Sequence, residues 1–302
     1  MSPRPLPVAR TIADLRAAVG AWKAQGLRVA FVPTMGALHE GHLSLVRLGL
    51  ERADRVVASI FVNPAQFAPH EDFDAYPRGE DRDAALLASA GCQLLYAPGA
   101  REMYPAGFAT SVAVGGISEP LEGVSRPHFF GGVATVVAKL LIQCGPDLAV
   151  FGEKDYQQLL VIRRMARDLD LPVEILGAPT AREADGLALS SRNAYLTAGQ
   201  REMAAALPAA MAMAVDFLRE GQTVEAVEAR VKASLTEAGF SPIDYVEVRD
   251  GETLERIGPG VLERNARIFV AAWMGRTRLI DNWAISSLSR EGEGLGRGRT
   301  AP

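Results

Sequence analysis

Between residues 27 and 178 the chain repeats one pattern: a short, continuously apolar run, then a longer segment with its apolar residues on one stripe. "LRVAFVP" (27–33) leads into "HEGHLSLVRLGLERA" (39–53), and "RVVASIFV" (55–62) precedes a helical pattern near 80–91. "QLLYAP" (93–98) precedes a long helical pattern from about 130 to 143. "DLAVFG" (147–152), the helical "KDYQQLLVIRRMARDL" (154–169) and "PVEILGA" (172–178) complete the series. Strands without polar alternation are covered on both faces. A strand–helix–strand succession makes neighbouring strands parallel, with right-handed crossovers. The pattern predicts an α/β fold with a Rossmann-like, doubly wound parallel sheet. A helix precedes the sheet: Ile12, Leu15, Val19 and Trp22 fall on one stripe, Thr11 can cap it and Gly26 ends it.

After about residue 180 the alternation stops. Two helical stretches (197–221 and 223–239) come before three strand-like runs, "IDYVEVRD", "ARIFVAAWMG" and "RTRLIDNWAI". Helices followed by strands predict a separate α+β unit. The expected division is a sheet domain over 1–180, a smaller C-terminal α+β domain over 181–285, and a disordered tail over 286–302, which is rich in Gly, Ser and charge.

Composition removes several classes of function. The net charge of −4 gives no basic field for nucleic acid, and no apolar run is long enough to span a membrane. The N-terminus has no apolar signal core, and the two cysteines, Cys92 and Cys144, form no CxxC pair. The cysteine usage fits a reducing cytosol and argues against structural zinc and against a disulfide scaffold.

In an open parallel sheet, ligands sit beyond the carboxyl ends of the strands. Four strand ends here run into polar, Gly-rich segments: "PTMGALHEGH", "NPAQF", "GEKDYQQ" and "APTAREADGLALSSRN". His39 and His42 lie three apart at a helix start, where free N–H groups and the helix dipole attract phosphate. Two imidazoles there can donate to phosphate oxygens. Gly41 keeps the backbone bare between them, and Gly36 lets the chain approach a nucleotide. The plainer alternative is capping or surface histidines; a zinc site would need a third ligand of the usual type.

Lys154, one of only four lysines, follows an apolar strand and suits phosphate as a point charge. Its neighbour Asp155 can take ribose hydroxyls. "LALSSRN" brings Ser190, Ser191 and Arg192 together as a clamp for a polyphosphate, or alternatively as a turn or N-cap. Gln66 and Gln158 follow two different strands and can orient a hydroxyl or carboxylate. Arg126 and His128 can hold an anion or line the entrance. "EDRD" (80–83) reads as a solvated helix start, with an acidic side chain able to help hold Mg²⁺ through water. Neither a P-loop nor a G-x-G-x-x-G fingerprint is present. Such donors favour attack at an α-phosphate with pyrophosphate leaving.

"PTMGALHEGHLSL", "FVNPAQF", "YPR", "RPHFFGGVATVVAKL", "FGEKDYQQ", "PTAREADGLALSSRN" and "GRTRLIDN" together resemble the pantoate–β-alanine ligase family, from about residue 8 to 285. "HEGH" is similar to the HIGH-type signature of the nucleotidyltransferase superfamily, and "LSSRN" occupies the place of its KMSKS-type loop. The resemblance implies an ATP-dependent condensation of pantoate with β-alanine through a pantoyl adenylate. It assigns Pro33, Thr34, Met35, Gly36, His39 and His42 to ATP, with His42 as proton donor. Gly152, Glu153, Lys154 and Asp155 would hold ribose and phosphate. Ala181, Leu189, Ser190, Ser191 and Arg192 would close over adenine and phosphates. Gln66, Gln158, Met35, Asn63, Tyr76, Arg126 and His128 would hold pantoate and β-alanine. Leu189 departs from the family's usual methionine and Ala181 from its frequent valine, both small changes of volume. The resemblance also implies Mg²⁺ carried on the ATP phosphates, with no protein ligand assigned, a homodimer in the cytoplasm, and a final domain acting as a lid. Two rivals stand beside it: another adenylyltransferase on the same scaffold, and a non-catalytic ATP-binding sensor.

Overall fold

The apolar runs of the first half become strands of one six-stranded parallel sheet, in the order β1–β4–β3–β2–β5–β6. The strands are β1 (Val8–Ala9), β2 (Val29–Thr34), β3 (Arg55–Ile60), β4 (Leu94–Tyr96), β5 (Leu148–Gly152) and β6 (Glu174–Ala178). The structure is a computed structural model and describes residues 5–67, 73 and 76–286. Helices α1 (Ile12–Lys23), α2 (Glu40–Arg52), α3 (Glu80–Ser89), α4 (Ala100–Met103), α5 (Glu122–Ser125), α6 (Phe129–Cys144) and α7 (Tyr156–Asp168) connect them.

The unbroken apolar character of β2 follows from cover on both sides: Val29, Ala30, Phe31 and Val32 are all fully buried. Val29 and Phe31 pack with Leu15 and Val19 of α1 and with residues of α6 and α7. Ala30 and Val32 face the other way, onto Leu45 and Val46 of α2 and Leu87 of α3. This two-sided burial is what a continuous run requires. Strand order reverses between β2 and β5, because the chain continues from β2 to β3 and β4 on one side and from β5 to β6 on the other. A crevice opens at such a switch point, past the carboxyl ends of the two strands.

The second half supplies α8 (Ala198–Ala204), α9 (Ala206–Arg219) and α10 (Val224–Glu237), then an antiparallel sheet of β7 (Ile243–Asp250), β8 (Ala266–Met274) and β9 (Thr277–Ile285) in that order. In β8, Ile268, Val270 and Ala272 pack on α9 and α10, through Met211 and Val231 among others. Phe269 and Ala271 point the opposite way, onto Phe130, Leu160 and Val161. The antiparallel sheet is thus sandwiched between its own helices and the helical layer of the parallel sheet.

Two features depart from the sequence expectation. The stretch 197–221 is two helices, because Pro208 has no N–H to donate to the Ala204 carbonyl and sits in the first turn of a new helix. The two-residue β1, beside prolines at positions 5 and 7, carries no periodic signal. The expected tail, 286–302, lies outside the described residues apart from Ser286. Among the described residues no helix is long and apolar enough to cross a membrane.

Candidate active site

A cleft of about 820 Å³ lies past the ends of β2 and β5, and all four polar segments contribute to it. His39, His42, Lys154, Ser190, Ser191 and Arg192 line it together.

The histidines reach it through an unusual capping box. His39 is the N-cap of α2, and its Nδ1 accepts the Gly41 N–H at 3.1 Å. His42, three residues on, accepts the His39 N–H on its own Nδ1 at 3.4 Å. The ring centroids stand 4.2 Å apart. With both Nδ1 atoms accepting, each neutral ring carries its proton on Nε2. Burial, then the neighbouring His39 and Lys154, push His42 down to about 3, and burial and Lys154 lower His39. At neutral pH the pair is therefore a set of uncharged N–H donors. A Cβ on Gly41 would come within 2.9 Å of the His39 ring, so this glycine makes room for the imidazole.

Gly36 does not line the cleft, contrary to expectation. It adopts a φ of +84°, and a Cβ there would meet Asp83 and Ile60. It sets the turn that delivers Met35 and Leu38. Asp83 also corrects the expectation of a solvated 80–83 segment. It is only 2 % exposed, and its oxygens accept the N–H groups of Ala37 and Leu38 at 2.8 and 2.9 Å. Both oxygens are thereby committed to holding the 36–38 turn, not to water around a metal. Glu80 of the same segment pairs with Arg10.

After β5, a single 3-10 turn (Glu153–Asp155) offers Lys154 to the cleft, and Asp155 stands exposed at the N-cap of α7 without a side-chain cap bond. The Lys154 ammonium makes no hydrogen bond or ion pair among the described residues, yet it acts electrostatically on both histidines. Gly152 lines the cleft, but Glu153 does not: its carboxylate is drawn 3.2 Å from Arg267 of β8. The two adjacent glutamines diverge. Gln157 is buried, donates to the carbonyls of Ile117 and Pro120 at 3.1 and 2.7 Å, and accepts the Glu122 N–H. Gln158 lines the cleft.

At the far end, Met35, Gln66, Tyr76 and Arg126 line the wall with Pro33 and Thr34. Gln66 lies with its amide against the Met35 thioether. Arg126 stacks 3.9 Å over the Phe129 ring and donates to the Gln66 carbonyl at 3.2 Å. Asn63 touches the cleft but is 1 % exposed. Its amide is used by Gln66, the Gly132 carbonyl, the Ala65 N–H and the Tyr104 hydroxyl, so it positions Gln66 and has little left for a ligand. His128 falls outside the cleft, exposed at the N-cap of α6.

The 181–195 segment folds back on itself: Leu189 N–H donates to the Ala181 carbonyl at 2.9 Å, and both residues line the cleft. Ser190 caps the short 3-10 turn Ser191–Tyr195 by accepting the Arg192 N–H. The capping and clamp alternatives are thus compatible, because a capping oxygen keeps its own O–H to donate.

The sequence reading missed one wall. Asp244, Tyr245 and Arg278 of the antiparallel sheet, Arg276 of the turn between β8 and β9, and Glu122 also line the cleft. Glu122 accepts from the Tyr245 hydroxyl at 2.7 Å and pairs with Arg278, which also reaches Asp244. "GRTRLIDN" was the only available signal.

A family model described as pantoate-beta-alanine ligase matches residues 7–284. A pantothenate synthetase of Caulobacter vibrioides is 64 % identical over 279 residues, covering 92 % of this chain and 98 % of that one. The crystal structure of pantothenate synthetase from Thermus thermophilus superposes with a TM-score of 0.86 at 48 % identity, covering 92 % and 99 % of the two chains. A pantoate-beta-alanine ligase of Francisella tularensis, described as complexed with beta-gamma ATP and beta-alanine, has a TM-score of 0.76 at 33 % identity, covering 92 % and 97 %. With matches spanning both sheets and every segment that lines the cleft, the chain belongs to the pantoate–β-alanine ligase family.

Proposed function

We propose that this cleft activates pantoate with ATP as a pantoyl adenylate and then passes the acyl group to β-alanine. The ligation itself, pantoate plus β-alanine to pantothenate, is the activity of the family; the division of roles along the cleft is our reading. The carboxylate of pantoate attacks the α-phosphorus and pyrophosphate leaves. The amine nitrogen of β-alanine then attacks the acyl carbon, a C–N bond forms, the C–O bond to AMP breaks and the amine gives up a proton.

The protein's part is positioning and charge stabilisation. Nε2–H groups of His39 and His42, the Lys154 ammonium and the Ser190, Ser191 and Arg192 donors surround the triphosphate. Gln158 and Gln66 orient pantoate, with Tyr76 and Arg126 beside them. Asp155 takes the ribose, and Ala181 and Leu189 meet adenine. No protein nucleophile is required, and the buried thiols of Cys92 and Cys144, pushed up to about 11 and about 12, are unsuited to be one. A Mg²⁺ ion would be held by the triphosphate and offset its charge; among the described residues no three His, Cys, Asp or Glu side chains group to hold a metal. Residues 181–285 act as a lid over 1–180, shielding the adenylate from water. The enzyme works as a cytoplasmic homodimer, as the resemblance implies.

The observation that carries this reading is the convergence of the histidine pair, Lys154 and the Ser190–Arg192 turn on one cleft. The ligand description of the Francisella tularensis protein supports it. The test is pyrophosphate release from ATP with pantoate alone and then with β-alanine. Single-turnover release with pantoate alone, and multiple turnovers only after β-alanine is added, are expected. A different adenylyltransferase ignores pantoate, and a sensor releases nothing.

A further inference from the structure

We propose that Asn282 and Arg267, on the antiparallel sheet, are positioning residues for Lys154, so that the aim of the ammonium is set by direct contact of that sheet with the turn after β5. This rests on the reading that Lys154 meets the triphosphate.

Asn282 of β9 is 4 % exposed. Its Nδ2 donates to two consecutive carbonyls, those of Glu153 and Lys154, each at 2.9 Å. Its Oδ1 accepts from Arg267 Nη1. Arg267 of β8 also pairs with the Glu153 carboxylate and stacks 3.6 Å over the ring of Tyr156. The amide of Asn282 has thus used both donors and its acceptor on the turn that carries Lys154 and on Arg267. Two hydrogen bonds from one planar amide to successive carbonyls fix the two peptide planes that flank the Lys154 Cα, and with them the direction of its Cα–Cβ bond.

Nothing else holds that side chain, whose ammonium has no hydrogen bond or ion pair among the described residues. A flexible four-carbon stem finds its target only if its root is well aimed, and small misplacements of a reacting or stabilising group are expensive in rate. The two sheets do not need Asn282 to stay together. Phe269, Ala271 and Ile280 already pack on Leu121, Phe130 and Leu160, and the Glu122–Arg278 pair bridges the same interface. The specific contribution of Asn282 is therefore local geometry at residue 154.

A four-protein comparison of ATP affinity by equilibrium dialysis tests this: wild type, Asn282→Leu, Lys154→Ala and the double variant. Asn282→Leu keeps the branched heavy-atom shape, stays neutral and removes both donors. It is expected to weaken ATP binding about 10-fold in the wild-type background and to add nothing once Lys154 is alanine. Asn282→Ser, which retains one donor, is expected to lose less, and it carries the same comparison if the leucine variant does not fold. Losses that simply add in the double variant, or a folded Asn282 variant with unchanged ATP affinity, would overturn the proposal. Wild-type protein that binds ATP but releases no pyrophosphate with pantoate would defeat the functional reading while leaving the positioning role standing.

Discussion

On the parallel-sheet side of the cleft, Lys154 and Gln158 make no side-chain hydrogen bond or ion pair among the described residues, and His39 and His42 spend only Nδ1 on the backbone. On the antiparallel-sheet side most polar groups are committed, although Arg276 of the β8–β9 turn makes no side-chain hydrogen bond or ion pair among the described residues. Arg278 is shared by Glu122 and Asp244, Arg182 forks onto Asp281 at 2.7 and 2.9 Å, and Arg267 is held by Glu153, Asn282 and Tyr156. A partly buried polar group without an internal partner is tolerated where a ligand or water meets it; a satisfied network fixes one arrangement. The contrast assigns chemistry to one wall and geometry to the other.

Lys154→Ala should break the first wall most sharply. Loss of an unshared cation at the triphosphate should slow pantoyl-adenylate formation about 10³-fold, the scale of a lost charge-stabilising donor. Single-turnover pyrophosphate release measures it. Urea unfolding of the same variant should stay within about 0.5 kcal/mol of wild type, since no internal contact is removed. A large stability loss would show that Lys154 belongs with the committed groups.

The mirror experiment is Glu122→Ala. It leaves Arg278 with Asp244 alone and takes the acceptor from the buried Tyr245 hydroxyl, a loss of about 2 kcal/mol on the scale of an unsatisfied buried donor. Urea unfolding should show that loss. Unchanged stability would dissolve the distinction between the walls.

His42 sharpens the comparison through pH. Its folded value of about 3 lies below the ordinary 6.5, so the unfolded chain takes up the proton first as pH falls. The stability tied to neutral His42 is therefore whole above about pH 6.5 and is lost on descent towards pH 3. The slope is up to about 1.4 kcal/mol per pH unit. His42→Asn should remove that slope from the acid limb, read as unfolding free energy at pH 4, 5, 6 and 7. A variant with the same acid limb as wild type would mean that His42 titrates normally. Gln158→Ala should have the smallest effect. The KM for pantoate should rise about 10-fold, as for one lost hydrogen bond in a binding site, with the KM for ATP unchanged. An equal rise for ATP would move Gln158 to the nucleotide end.

Where the sequence misled, the cause was distance along the chain. "EDRD" has the local density of a solvated helix start, yet Asp83 is buried because two N–H groups 45 and 46 residues away need acceptors. His128, read beside Arg126 as an anion holder or part of the entrance, stands exposed at the N-cap of α6. Gln157 and Gln158 are indistinguishable by type; the helical turn of about 100° per residue puts one in the core and the other in the cleft. Glu122 gave no signal, because Tyr245 and Arg278 lie 123 and 156 residues further on.

The succession of strands and helices, the capping of α1 by Thr11 and the near-continuous burial of β2 were written in the sequence, because each depends on periodicity or on neighbours within a few residues. So were the polar segments at the strand ends. That β2 lies beside β5, bringing the histidines and Lys154 to one crevice, was decided only by the tertiary structure. The same holds for the hold of β9 on the turn after β5, 128 and 129 residues earlier. Strand order and the partners of buried polar groups are set by which surfaces can be covered and satisfied together, and no local stretch of chain records that.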